Sequence, residues 1–266
     1  MDDVVLVTGA SSGIGQACAE QLHGRGWTVV GASRRATASG PWESLVMDVD
    51  DDGSVRSGVG GLVAAHGRLD AVVACAGWGL AGSVEDTPIG DARAQLETVF
   101  WGSVRVVQAA LPVMREQRRG SIVLMSSIGG VLGLPFQAFY SAAKFALEGY
   151  GESLAYEVAP FGIEVTLVEP GNVRTGFTAA RRDVIPDEAG SAYGPAATRA
   201  VSKMAEDEAG GVGPERVAEV VVRTLGARRP PRRVSVGKLD ERVGIVGKRL
   251  LPYRLFERAA KGSLGL

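Results

Sequence analysis

The chain has 266 residues, 45% of them hydrophobic and 22% charged, and this composition is typical of a soluble globular protein. It excludes a disordered or low-complexity chain, which has too few apolar residues to form a core. Lys and Arg number 29 against 30 Asp and Glu, so the net charge of −1 argues against a general nucleic-acid binder. The 37 glycines are about twice the usual share, which indicates turns, close backbone packing or ligand loops.

The sequence shows neither an export signal nor a membrane span. The start, Met1-Asp2-Asp3, leads directly into apolar residues and has no basic segment followed by an apolar one, so we expect no signal peptide. No uncharged apolar run reaches the length of about 18 residues that a spanning helix needs. Two cysteines, Cys18 and Cys75, are too few for a disulfide framework or a structural zinc site. We therefore expect no metal and a reducing, cytoplasmic setting.

Short β-branched runs recur along the chain and predict seven strands. They lie at residues 4–8, 28–32, 45–47, 69–74, 121–125, 163–168 and 234–236. Because these runs are almost continuously apolar rather than alternating, they are typical of parallel strands that are covered on both faces.

Helical patterns lie between the predicted strands. They cover residues 13–25, 54–66, 88–117, 137–158 and 214–226. This alternation predicts an α/β fold over 1–266 in one domain, with a Rossmann-type, doubly wound parallel sheet of about seven strands and helices on both faces. We expect a cofactor half at about 1–120 and a catalytic and substrate half at about 121–266.

Two regions allow alternative interpretations. Residues 176–213 are rich in Gly, Ala, Pro and charge, and they form either a mobile lid or a surface insertion. The Arg-rich tail, 237–266, has leucines at helical spacing. It predicts an amphipathic helix that either packs on the domain or anchors to a membrane surface.

A glycine-rich turn follows the first predicted strand and indicates a dinucleotide site. Its glycines leave room for a pyrophosphate, and the N-terminus of the next helix offers free N–H groups and partial positive charge. The residues that we expect to contact the cofactor here are Gly9, Ser11, Ser12, Gly13, Ile14 and Gly15.

The second constellation carries acid–base chemistry. Tyr140 and Lys144 lie four residues apart and share one face of a predicted helix. An ammonium group beside a phenol lowers the phenol's pKa from its usual value of about 10, so Tyr140 could exchange a proton with a substrate oxygen. Ser127 ends the preceding strand and could polarise the same oxygen, with Ser126 as its neighbouring rival.

The residues at the end of the second strand indicate whether the cofactor is NAD(H) or NADP(H). A carboxylate there would bind the ribose 2′-hydroxyl of NAD, but the sequence is Ser33-Arg34-Arg35. Two guanidinium groups suit a 2′-phosphate, which favours NADP(H), with NAD(H) as the second choice. The alternative interpretation of Arg34 and Arg35 is a solvated basic turn.

Together these motifs resemble the short-chain dehydrogenase/reductase family over roughly residues 3–177. The matching elements are Thr8 to Gly15 for TGxxxGxG, Ala76-Gly77 for the end of NNAG, Ser127, Tyr140 and Lys144 for the catalytic set, and Pro170-Gly171 for the PG motif. Residues 133–157 look most like the hydroxysteroid and retinol dehydrogenase branch.

The resemblance implies an oxidoreductase that moves a hydride between a nicotinamide and a ketone, aldehyde or alcohol. Tyr140 would be the general acid/base, and Lys144 would also bind the nicotinamide ribose. The further cofactor contacts that it implies are Asp48 and Val49 near the adenine, Ala76, Gly77, Pro170 and Gly171, and Val173 and Thr175 at the carboxamide. Asp48 could equally be a helix cap.

Substrate and assembly are less closely defined. The expected substrate is an apolar ketone or alcohol, with walls at Leu132, Leu134, Phe136 and Phe139 unless these belong to the core. The two long helices predicted at 88–117 and 137–158 are apolar on more than one side, and related enzymes pair through them. We therefore expect a homodimer or homotetramer.

Two departures from the family pattern keep other functions open. The NNAG segment begins Ala74-Cys75, so both of its asparagines are missing, and Val99 replaces an asparagine that supports the family's proton relay. The alternatives are a non-redox reaction (elimination, epimerisation or cyclisation) and a nucleotide-binding regulator.

Overall fold

A computed structural model describes residues 3–36, 40–186 and 190–263. Its strands are β1 (Val4–Thr8), β2 (Thr28–Ser33), β3 (Glu43–Val46), β4 (Ala71–Ala74), β5 (Leu80–Gly82), β6 (Gly120–Met125), β7 (Ile163–Pro170), β8 (Arg182–Val184) and β9 (Arg233–Val236). Seven of them form one parallel sheet in the order β3-β2-β1-β4-β6-β7-β9, and β5 pairs with β8 separately. The predicted Rossmann-type sheet is confirmed.

The helices cover both faces of this sheet. They are α1 (Gly13–His23), α2 (Asp52–His66), α3 (Ile89–Leu96), α4 (Gly102–Gln117), α5 (Ala138–Val158), α6 (Phe177–Ala180), α7 (Gly194–Ala209), α8 (Pro214–Leu225), α9 (Leu239–Leu250) and α10 (Tyr253–Ser263). One apolar cluster joins α2, α4 and α5 to the sheet, and a second joins α1 and α8 to its other face. The strands are buried on both sides, which is why their sequences are continuously apolar.

The strand order reverses beside β1, and this reversal creates a crevice at the carboxyl edge of the sheet. The chain leaves β1 for β2 on one side and later returns to place β4 on the other side. The loops that follow β1 and β4 therefore diverge at the carboxyl edge and leave a crevice, which is where doubly wound sheets bind ligands.

The helix predicted over 88–117 is interrupted. A π-helical turn, Glu97–Trp101, separates α3 from α4. Just after it, Gly102 lies so close to Val49 that a Cβ atom at Gly102 would be 2.8 Å from the valine side chain. Such turns change the register of a helix by one residue and often occur at functional sites, and hydrophobic periodicity does not reveal them.

The two regions that the sequence left open are more regular than expected. Residues 176–213 contain α6, β8 and α7, and the tail forms two helices, α9 and α10, rather than one. Within the described part of the chain, no helix combines the length and the apolar character needed to cross a bilayer.

Close packing of α5 on the sheet depends on Gly151. A Cβ atom there would lie 2.9 Å from the Leu124 side chain and 3.0 Å from that of Leu167, whereas one at Gly149 would meet nothing within 4 Å. We expect Gly151→Ala to lower the unfolding free energy by about 1 kcal/mol through overpacking. Gly149→Ala, the matched control on the same helix, should raise it by about 0.5–1 kcal/mol because alanine favours helix. Urea denaturation measures both, and a stabilised Gly151→Ala would contradict this packing.

Candidate active site

A cavity of about 1140 Å³ lies where β1, β2, β4, β6 and β7 end. Its volume is larger than that of most ligand pockets, which typically measure about 300–1,000 Å³. There is therefore room for two ligands side by side. Every residue that the sequence predicts as a cofactor contact lines it, and so do the three predicted catalytic residues.

The glycine-rich turn forms one end of the cavity. Gly9 and Gly13 have φ values of +68° and +58°, in the left-handed region that favours glycine. A Cβ atom at Gly15 would lie 2.4 Å from the Gly9 carbonyl oxygen, so α1 approaches the strand end as only glycine allows. The first N–H groups of α1 have no intrahelical acceptor and border the cavity, which fits an anionic group.

Thr8 joins the ends of β1 and β4 through its side chain. Its Oγ1 atom accepts hydrogen bonds from the backbone N–H groups of Cys75 and Ala76, both at 3.1 Å. These bonds hold the ends of β1 and β4 together beside the crevice. Asp48 lines the cavity and does not cap α2, because Asp51 is the N-cap residue of that helix.

Arg34 and Arg35 follow β2 at the same end of the cavity and are both exposed. For the part of the chain that the structure describes, neither guanidinium is held in an ion pair, although other arginines are. Both are therefore available to an anion of the ligand, and the residues that line this end of the cavity fit a dinucleotide.

The three predicted catalytic side chains converge at the middle of the cavity. Tyr140 and Lys144 lie one turn apart near the start of α5, and both are buried. The Lys144 Nζ atom donates a hydrogen bond of 2.7 Å to the Met125 carbonyl oxygen and lies 5.8 Å from the centre of the Tyr140 ring. Ser127, two residues beyond β6, accepts a hydrogen bond from the Gly129 N–H group at 3.0 Å.

Burial shifts the pKa values of Tyr140 and Lys144. It raises the pKa of Tyr140 to about 12, a hydrogen bond with Ser127 opposes that rise, and the Glu208 carboxylate adds to it. It also lowers the pKa of Lys144 to about 8, against the attraction of Cys75 and Glu148. The expected lowering of the Tyr140 pKa is therefore wrong for this structure: burial of the phenol raises the pKa, and Lys144 is not among the groups that shift it. Tyr140 holds its proton near neutral pH and can donate it.

The hydrogen bonds distinguish the two serines. Both serines line the cavity, and Ser127 is the one that forms a hydrogen bond with Tyr140. The Ser126 Oγ atom is buried, and it has no hydrogen-bond partner among the described residues. The arrangement favours Ser127 as the group that contacts a substrate oxygen.

Val99 lies in the π-helical turn and lines the cavity with almost no exposure. Its carbonyl oxygen accepts a hydrogen bond of 2.9 Å from the Ser103 Oγ atom. The Ser103 hydroxyl thus stabilises the turn at the position where the family pattern places an asparagine. Lys144 forms its hydrogen bond with the Met125 carbonyl oxygen.

The predicted substrate walls are only partly correct. Leu132 and Leu134 line the cavity, but Phe136 and Phe139 do not. Phe136 has a φ of +58°, and its carbonyl oxygen accepts a hydrogen bond from the Gly82 N–H group, so it belongs to the turn that meets β5. Phe177, which no sequence motif marks, also lines the cavity, and its ring packs edge-on to Tyr140 at 6.0 Å between centres.

The tail and the segment after β7 supply further lining that carries no motif. These residues include Met204, Asp207 and Glu208 of α7, and Val243, Leu251 and Phe256 of the tail. Only the tertiary fold brings them to a site built around residues 9–15 and 127–144, so sequence spacing gave no signal.

Comparison with known proteins agrees with this geometry. The family model described as short chain dehydrogenase matches residues 3–185. The chain is 38% identical to a 3-ketodihydrosphingosine reductase of Bacteroides thetaiotaomicron, over 97% of this chain and 96% of that protein. It is 35% identical to retinol dehydrogenase 8 of Bos taurus, over 86% of this chain and 80% of that protein.

Solved structures show the same architecture. A short-chain dehydrogenase from Streptomyces avermitilis superposes with a TM-score of 0.84 at 33% identity, covering 94% of this chain and 93% of that one. A metagenomic short-chain oxidoreductase in complex with NADP has a TM-score of 0.69 at 26% identity, covering 88% of this chain and 96% of that one.

The depressed pKa of Lys144 has a measurable consequence for stability. Between pH 8 and 10.5 the unfolded chain keeps this lysine's proton while the folded chain loses it, so stability should rise with pH in that window. Relative to Lys144→Met, we expect the wild type to gain up to about 3 kcal/mol of unfolding free energy across it. Urea denaturation at a series of pH values measures the gain. Lys238→Met keeps Lys144 and is the control, so its unfolding free energy should rise with pH as that of the wild type does. A constant difference between the wild type and Lys144→Met across the window would contradict the assignment.

Proposed function

The chain belongs to the short-chain dehydrogenase/reductase family of oxidoreductases, and from that premise we propose that it is an NADP(H)-dependent enzyme that interconverts a ketone or aldehyde and an alcohol. One observation carries the proposal: the Ser127, Tyr140 and Lys144 side chains meet in the cavity that also holds the glycine-rich turn. A redox site of this family needs the proton-transfer group and the dinucleotide cradle together.

The mechanism follows from the protonation of the site. A bound nicotinamide supplies the hydride for reduction or accepts it in oxidation. Tyr140, protonated at neutral pH, gives its proton to the carbonyl oxygen as charge develops there. Ser127 donates a hydrogen bond to the same oxygen and so fixes the substrate's position. Lys144, whose Nζ atom lies 5.8 Å from the centre of the Tyr140 ring, would bind the nicotinamide ribose beside it.

The preference for NADP(H) is supported by the arginines after β2. Arg34 and Arg35 border the cavity, and the turn that contains them has no carboxylate to bind a ribose 2′-hydroxyl. A 2′-phosphate would gain charge-assisted hydrogen bonds from both guanidinium groups.

The proposed substrate is a long-chain ketone or its alcohol. Beyond Tyr140, the cavity is bordered by apolar side chains of Leu134, Phe177, Met204 and Val243, which suit an alkyl chain. The similarity to a protein named 3-ketodihydrosphingosine reductase covers nearly the whole chain and favours a 3-keto lipid.

A second candidate is a non-redox reaction on the same fold. Val99 favours it, because this residue stands where the family's relay asparagine is expected and has no side-chain hydrogen bond to offer. The redox proposal is favoured because its core residues are all present.

A substrate panel tests the proposal. The purified protein is mixed with NADPH and with ketones of increasing chain length, and consumption of NADPH is followed by its absorbance. We expect turnover that rises with chain length. Binding of NADPH without consumption for any ketone would move the assignment to the non-redox candidate.

Tyr140→Phe should keep the fold and cofactor binding and lose at least about 100-fold in turnover, since a positioned general acid contributes about that much. Tyr156→Phe is the matched control, because Tyr156 lies on the same helix with its side chain exposed. Steady-state rates and NADPH fluorescence titration give both readouts. More than about a tenth of wild-type activity in Tyr140→Phe would show that the proton comes from elsewhere.

Replacing Arg34 and Arg35 together by alanine should weaken NADPH binding about tenfold or more and leave NADH binding nearly unchanged. A charge-assisted hydrogen bond contributes roughly 1.5–3 kcal/mol, and only NADPH carries the phosphate. Arg25→Ala removes another exposed arginine and is the control. Equal losses for the two cofactors would show that this pair does not recognise the phosphate.

The proposal extends to assembly and location. We expect a homodimer or homotetramer in the cytoplasm. Trp101 and Phe145 support the assembly, because both are large apolar side chains of the two expected pairing regions and both are exposed.

A further inference from the structure

The outward face of α9 is apolar. Leu239, Val243, Val246 and Leu250 recur at the spacing of one helical face, and their exposed fractions are 75%, 58%, 53% and 77%. A helix on the surface of a soluble protein normally exposes its polar side. We call these four residues the outer stripe.

The opposite side of α9 fixes it to the protein body. Ile245 is buried there, and the Lys248 ammonium donates a hydrogen bond to the Val131 carbonyl oxygen and lies 4.8 Å from the centre of the Phe145 ring. The outer stripe is therefore not the face with which this helix packs on its own domain.

The apolar surface continues past the end of α9 through Leu251 and Leu255, which are about half exposed. Six of the thirteen exposed large hydrophobic side chains found in the described residues lie between positions 239 and 255. Such a concentration marks an interaction site rather than the ordinary scatter of surface apolar groups.

The cavity opens on this surface. Val243 and Leu251 line the cavity and are also exposed, so they stand at its mouth. An apolar molecule could pass from a surface bound at the outer stripe to Tyr140 without crossing bulk water.

The positive charge of the tail indicates whether the outer stripe binds a membrane or a second copy of the chain. Residues 238–261 hold seven Lys or Arg and three Asp or Glu, although the whole chain has 29 against 30. Arg242, Arg254 and Arg258 are exposed, and the structure describes no ion pair for them. Two copies meeting through this face would bring like charges together, whereas an anionic bilayer attracts each basic side chain near its surface.

We propose that the outer stripe and its flanking arginines dock the protein on an anionic lipid surface, with the mouth of the cavity facing the bilayer. The docking proposal does not depend on the enzymatic activity. It rests on the exposure of the outer stripe, on the packing of the opposite side of α9 and on the positive charge of the tail. Delivery of substrate from the lipid rests in addition on the proposed function.

Vesicle co-sedimentation of the full chain tests the docking without measuring turnover. We expect binding to vesicles of phosphatidylcholine and phosphatidylglycerol in equal parts, much weaker binding to phosphatidylcholine alone, and loss of binding as salt is added. Changing Leu239, Val246 and Leu250 together to serine should lower the partition coefficient about tenfold or more. Changing Arg242, Arg254 and Arg258 to glutamine should remove most of the preference for anionic lipid.

The matched control changes Val46 and Val84, equally exposed but remote in sequence from the tail, to serine, and should bind as the wild type does. NADPH affinity and melting temperature confirm that each variant is folded, since none of the substituted residues lines the cavity. Wild-type protein that stays in the supernatant with anionic vesicles would overturn the proposal, as would a serine variant that still sediments. Self-association that the serine changes abolish, in the absence of vesicle binding, would assign the face to a second copy instead.

Discussion

The buried hydrogen bond between the Lys144 ammonium and the Met125 carbonyl oxygen holds the catalytic centre together. It ties the start of α5 to the end of β6, so it fixes Tyr140 on the helix opposite Ser127 on the strand end. Burial disfavours the charged form of both side chains, so it lowers the pKa of the Lys144 ammonium and raises that of the Tyr140 phenol. A group that opposes stability in this way is typical of functional sites.

Close packing elsewhere makes this geometry reproducible. Gly151 lets α5 approach β6 and β7, Gly15 lets α1 approach the end of β1, and Thr8 joins β1 to β4. The contacts of Gly15 and Thr8 lie at the crevice that the reversal of strand order creates, and Gly151 packs the helix that carries Tyr140 onto the same sheet. The cofactor end and the proton-transfer end of the cavity are thus held by the same sheet.

The sequence predicted what depends on local spacing. Continuous apolar runs identified the parallel strands, and the i,i+4 spacing placed Tyr140 and Lys144 on one helical face. What it missed depends on burial or on distant contacts. The π-helical turn at Glu97–Trp101 leaves no trace in the periodicity, and the high pKa of Tyr140 reflects desolvation that no spacing reports. Phe177 reaches the site only through the tertiary fold.

The central claim is reduction of a long-chain ketone at Tyr140 with hydride from NADPH. The most direct measurement is a turnover with NADPH deuterated at C4 of the nicotinamide and a long-chain 3-ketone, followed by mass spectrometry and NMR of the product. We expect an alcohol that carries deuterium on its carbinol carbon and that forms in an amount equal to that of NADP⁺. NADPH left unconsumed by every long-chain ketone, or an alcohol without deuterium at that carbon, would contradict it.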